Sequence, residues 1–294
     1  RKGSRGYFGC CALTASFLMS CYKHNNMEKY SCDERRFVIR EAGHGITLIG
    51  TKHVPPREYL KSELERFKTA IEAQDALFLE GSSWVYRPVG YAKAPVVTTI
   101  EYEAFAHFNG PSRFLDDLDK TNHSVLVKKY GMRHYAFAAL QALRIVLSSI
   151  SEGNILGGEI LTSSRDYFSQ MRLCAPWALP PGDLDKSTLA ALKTASNCVT
   201  TFGSLDPVDE INSEYLRFFL VVRDAEVYAP LMRSVVSATA GRKGVVIGDL
   251  HVGNLAHALE GREITVSQWP ERVERMGPEA RQALKQLIDY ATER

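Results

Sequence analysis

Two stretches place a histidine three residues after a glycine that closes an apolar run: Gly50-Thr51-Lys52-His53 in "GITLIGTKHVPP" and Gly248-Asp249-Leu250-His251 in "KGVVIGDLHVG". Imidazole titrates near neutrality and is a ready metal ligand, so a positioned pair can hold an ion or move a proton. The runs Ile46-Thr47-Leu48-Ile49 and Val245-Val246-Ile247 read as buried strands. Each histidine is therefore expected in the turn just past a strand's carboxyl end, where open α/β sheets bind their ligands. Glycine without a Cβ at Gly50 and Gly248 permits a sharp turn or a close approach to whatever the histidines hold. One such spacing is weak evidence; two, each behind an apolar strand, point to a shared site.

A carboxylate joins them. Glu80 ends the apolar run "ALFLE", and a charge there must be paired, metal-bound or at an exposed edge. Between Pro55-Pro56 and that run, Leu60, Leu64, Phe67 and Ile71 have the spacing of an amphipathic helix. Strand, helix, strand forms a βαβ unit whose two strands run parallel, commonly side by side. This directs His53 and Glu80 to one rim of the sheet.

The elements that must position these residues follow from the rest of the pattern. Residues 36–41 and 46–50 read as a hairpin bent at Gly43 and Gly45. Residues 112–195 read as mainly helical, an insertion or lid, and residues 209–240 as helical up to Gly241. After His251 a short helix over 255–259 and a strand at "EITVSQ", 263–268, are expected, then a closing amphipathic helix. The fold class is α/β: a mixed central sheet flanked by helices, built from two related strand–Gly-x-x-His–helix–strand halves with a mainly helical middle.

Two histidines and a glutamate at one rim suit a divalent ion, with Mn, Co, Fe and Zn all compatible. Three protein ligands leave positions open for water and substrate, as catalytic sites do. Glu80 fits the role of ligand or of general base, and a helix cap or salt bridge is the plainer alternative. Asp249 reads either as a partner that orients a histidine or as a turn residue. His44, His107, His123 and His257 fall in turns, polar loops or an exposed helix face, and "GMRHY" at 131–135 reads equally as a cleft lining or a helix start.

Other chemistries lack their signatures. No Gly-x-Ser-x-Gly elbow occurs, "EGSSW" has the wrong spacing, and no phosphate loop or dinucleotide fingerprint is present. No organic cofactor is therefore expected. The formal charge of +2 gives no global pull toward nucleic acid. Of six cysteines, four lie within the first 32 residues and none forms a Cys-x-x-Cys pair, which argues against a disulfide framework or a zinc ribbon.

Residues 1–32 differ from the body. Arg1, Lys2 and Arg5 precede an apolar stretch from 7 to 22, with no acid before Glu28. Basic, acid-free and apolar describes a secretory or organellar (mitochondrial) targeting segment, which is short for a membrane span. Membrane or organelle association through this segment is expected. The α/β domain is then assigned to 33–294.

"LIGTKHVP", "DALFLEG", "VVRDAEVYAPLM" and "GVVIGDLHVG" together resemble the TraB/PrgY/GumN family, which includes the Tiki metalloproteases and looks like a relative of the erythromycin-esterase/ChaN-like proteins. The resemblance covers both ends of the chain well and the centre poorly. It implies a metal site of His53, Glu80 and His251, with Arg223 matching the family's helical arginine. Asp224 stands where asparagine is more usual, and "GGEILTSSRDYFSQ" faintly matches a glutamate-bearing stretch, making Glu159 a weaker candidate. By resemblance the expected activity is a metal-dependent hydrolase, in the Tiki branch a peptidase acting on peptide or protein substrates. The alternative is a non-catalytic regulatory or binding protein at a membrane or organelle surface.

Overall fold

The computed structural model describes residues 36–54, 56–81, 99–151, 158, 160–162, 164–165 and 183–293. The targeting-type segment, Glu159 and Cys174 lie outside them. In chain order the elements are β1 (Val38–Ala42), β2 (Ile46–Thr51), α1 (Lys61–Glu72), β3 (Ala76–Leu79), α2 (Ile100–His107), β4 (Ser112–Phe114), α3 (His123–Lys129), α4 (His134–Ser151), α5 (Asp183–Phe202), α6 (Asp206–Arg223), β5 (Lys243–Gly248), α7 (Asp249–Leu259), α8 (Trp269–Arg275) and α9 (Pro278–Thr292).

The chain divides into two compact units. One comprises the described residues up to Lys120 with Arg223–Thr265, the other Thr121–Val222 with those from Val266 onward. The helical part is thus larger than an insertion over 112–195: it takes in α6 and the closing helices, while residues 112–114 form strand β4.

The first unit holds a five-stranded mixed sheet in the order β1-β2-β5-β3-β4. β1 and β2 form the antiparallel hairpin, and β2, β5, β3 and β4 run parallel. β2 and β3 are therefore not side by side. β5 lies between them, and its run "KGVVIG" is buried along its whole length, as a strand covered on both faces must be. The consequence for function is direct: the two Gly-x-x-His turns leave neighbouring strands, with Thr51 in register with Gly248.

Alternation along the strands sends Ile49, Leu77, Leu79 and Val246 into a core with Phe67 and Ile71 of α1, Ile100 and Ala104 of α2, and Phe37 and Tyr59. Leu48, Val245 and Ile247 face the opposite way, where α7 packs against β1, β2 and β5. Two local expectations fail. The helix after Gly248 begins at once and runs Asp249–Leu259, so His251 is helical rather than in a turn. Residues 263–268 form no strand: three of the six are exposed and three half-buried, so neither face of the alternation is buried, and the segment carries the chain out of the first unit.

In the second unit α4 packs on α5 and α9, and α3 lies on α4. Phe137, Tyr215, Phe218 and Trp269 supply its aromatic core, and the buried Gln141 amide donates to the Tyr215 hydroxyl at 2.6 Å. Among the described residues no helix is long and apolar enough to cross a membrane.

Candidate metal centre

Three adjacent parallel strands of the first unit, β2, β5 and β3, each deliver one of the expected side chains at the same rim. Glu80 follows β3 directly, its amide donating to Val246 O of β5 at 2.8 Å. His53 lies two residues past β2 and His251 is the third residue of α7, which continues β5. The three meet around one carboxylate: His53 Nε2 stands 3.4 Å from Glu80 Oε2, and His251 Nε2 stands 3.5 Å from Glu80 Oε1. The amide of Gly248 donates to Glu80 Oε2 at 2.7 Å and fixes the carboxylate's orientation.

The other nitrogen of each ring is also committed. His53 Nδ1 shares a hydrogen bond of 2.8 Å with Glu101 Oε1, and Glu101 comes from the first turn of α2. Thr51 Oγ1 donates to the same oxygen. His251 Nδ1 bonds Asp224 Oδ1, and Asn254 Nδ2 donates to Asp224 Oδ2 at 2.7 Å. Asp224 is fully buried and sits in a π-turn, Asp224–Tyr228, that follows α6. Widened turns of this kind are frequent at functional sites. A carboxylate on Nδ1 fixes the tautomer and aims Nε2, the arrangement that supports metal-ligating histidines.

Burial alone would depress both histidines. Glu101 and Glu80 outweigh it at His53, pushing its pKa up to about 9, and Asp224 and Glu80 push His251 up to about 10. Burial would raise Glu80, but the charges of His251 and His53, with Arg223 beyond them, hold it well below the usual carboxylate range. Without a metal the carboxylates around them thus favour the charged form of both imidazoles, and the imidazoles favour the charged form of Glu80.

Arg223, the last residue of α6, sends Nη1 to within 3.9 Å of Glu80 Oε1. Its Nη2 donates to Asp116 Oδ1 at 2.8 Å and to the Tyr228 hydroxyl, which in turn donates to Asp116 at 3.2 Å. The Tyr228 ring meets the His251 ring edge-on at 5.2 Å. Asp249 bonds neither imidazole directly: it opens α7 and is ion-paired with Lys52.

Two imidazoles and a carboxylate are donor types that suit a divalent ion. Two ligand atoms each about 2.1 Å from one tetrahedral ion stand about 3.4 Å apart, and the Nε2···Oε separations have that length, too long for good hydrogen bonds. Among the described residues, however, no group of three or more histidine, cysteine, aspartate or glutamate side chains is placed so that it could hold a metal ion as it stands. For His53, Glu80 and His251 to hold an ion, the Nε2 positions would have to be free of protons and Glu80 would have to re-aim.

The supporting residues Glu101, Asp116, Tyr228 and Asn254 are those that sequence reasoning misses. An Arg-Asp pair inside the apolar run "FFLVVRDAEV" is a signal for Asp224. Asp116 lies just past β4, a rim position concealed by reading 112–195 as helical. Compared with family models, with curated proteins and with solved structures, the chain matches none.

Proposed function

We propose that the first unit is a divalent-metal-dependent hydrolase of carbonyl substrates, with peptides as the substrate class. The observation that carries the reading is the pair of histidines whose Nδ1 atoms are locked by buried carboxylates while both Nε2 atoms face Glu80. The resemblance of the two Gly-x-x-His stretches, "DALFLEG" and "VVRDAEVYAPLM" to TraB/PrgY/GumN sequences supports the hydrolase class and supplies the peptide expectation.

His53, Glu80 and His251 would hold the ion. When bound, such an ion lowers the pKa of a coordinated water and polarises the carbonyl it meets. Glu101 and Asp224 keep the imidazoles aimed and remove the cost of ordering them at each turnover. Arg223, one-fifth exposed, presents a fixed positive charge where negative charge would develop on the carbonyl oxygen. Asp116 and Tyr228 hold that guanidinium in place. With Glu80 between both imidazoles, its role as ligand is favoured over that of a free base.

A specific observation favours a second reading, in which the chain is a non-catalytic binding protein: Glu80 is engaged without a metal, accepting from Gly248 N–H at 2.7 Å with both imidazoles and Arg223 beside it. Manganese- or cobalt-loaded protein incubated with a mixture of peptides, and analysed by mass spectrometry for new termini, separates the two. New termini with wild type and none with Glu80→Gln support the hydrolase. Stoichiometric metal with no new termini favours the binding protein.

A further inference from the structure

The middle residues of the two Gly-x-x-His turns are unlike each other in type, Thr51-Lys52 against Asp249-Leu250, and they touch. Lys52 Nζ is ion-paired with Asp249 Oδ2, the two side chains being 33% and 15% exposed. The turns are also in backbone contact, since a Cβ added to Gly50 would lie 2.9 Å from Asp249 Cα and 2.7 Å from Val252 Cγ2. Lys52 is held at its other end as well: its amide donates to the Tyr59 hydroxyl at 2.9 Å, and Tyr59 stacks on Phe37 at 4.3 Å. The next residue, His53, has φ of +52°, a left-handed backbone that a residue with a Cβ adopts only when its surroundings impose it. With Lys52 tethered by main chain and side chain, the reversal at His53 becomes the route by which the ring reaches Glu80.

We infer that Lys52 and Asp249 are positioning residues that cross-brace the two Gly-x-x-His turns and set His53 relative to His251 for metal binding. The inference rests on the metal reading above. An ion pair this exposed contributes little to stability by itself, so its effect belongs in the geometry of the site. Asp249 opens α7, where its negative charge is also favoured by the helix N-terminus. Removing it therefore tests the brace only in combination with Lys52.

The test is cobalt(II) titration of the purified chain, followed by visible absorption, which reports ligand geometry as well as occupancy. Wild type, Lys52→Met, Asp249→Asn, the double variant and Lys52→Arg are compared, with thermal melts as a fold control. Each single substitution is expected to weaken cobalt binding about tenfold, at the low end of what partners outside the ligand set contribute, and to alter the visible spectrum. The double variant should resemble the singles, because one interaction is lost once, and Lys52→Arg should retain wild-type binding. Wild-type affinity and spectrum in both single variants would overturn the brace while leaving the metal site standing, as would effects that add in the double variant. Failure of wild type itself to bind cobalt would overturn the metal reading and the brace with it.

Discussion

The two Gly-x-x-His turns share a spacing and reach the same carboxylate by different backbones. After β2 the chain leaves the strand as a loop, and His53 takes a left-handed conformation with its side chain 18% exposed. After β5 a helix starts at once, and His251 sits in its first turn with its side chain 8% exposed. Each ring is aimed by a carboxylate from a separate element, Glu101 from α2 and Asp224 from the π-turn after α6. The spacing therefore specifies only that a histidine follows a strand end on a neighbouring strand. The buried acid selects where the ring points.

That difference sets the order of the expected effects. Asp224→Ala leaves a buried imidazole and the Asn254 amide without their partner. It should cost about 3–5 kcal/mol of stability, measured by chemical denaturation, and a neutral result would show that α7 alone orients His251. The glycines should separate next. Gly50→Ala drives a Cβ into backbone and should cost about 1–3 kcal/mol, whereas Gly248→Ala puts its Cβ 2.6 Å from His53 Nε2 and should abolish metal binding with a smaller loss of stability. Equal melting shifts in the two variants would undo the distinction between the turns.

Glu101→Gln, which keeps the shape, is expected to weaken metal binding about 10–100-fold while leaving the fold intact in circular dichroism. The smallest effect is that of pH on metal-free protein. Both histidines have raised pKa values, so their stabilisation is fully present below about pH 6.5 and is lost as pH rises through about 9 and 10. Melting temperature should fall over that interval in wild type and fall less in a His53→Gln/His251→Gln double variant. Parallel curves would mean that other groups govern the alkaline loss.

Much of the framework is legible in the sequence because it is local. The apolar runs of β2, β3 and β5 and the helical spacing of Leu64, Phe67 and Ile71 in α1 need only nearest neighbours to be recognised. His53, Glu80 and His251 are legible because each ends or follows such a run. The insertion of β5 between β2 and β3 is a long-range choice that no local pattern announces. Glu101 looks like any acid in a helix's first turn, and its role exists only because α2 returns beside β2. The run at 263–268 shows the converse: its alternation is local, but neither face of it is buried and it forms no strand.

The central claim is that both turns serve one ion. Metal content by inductively coupled plasma mass spectrometry, on wild type, His53→Ala and His251→Ala purified and metal-supplemented identically, tests it most directly. Near-stoichiometric metal in wild type and its loss from both folded variants is the predicted result. No metal in folded, supplemented wild type, or full retention in either variant, would contradict the shared site.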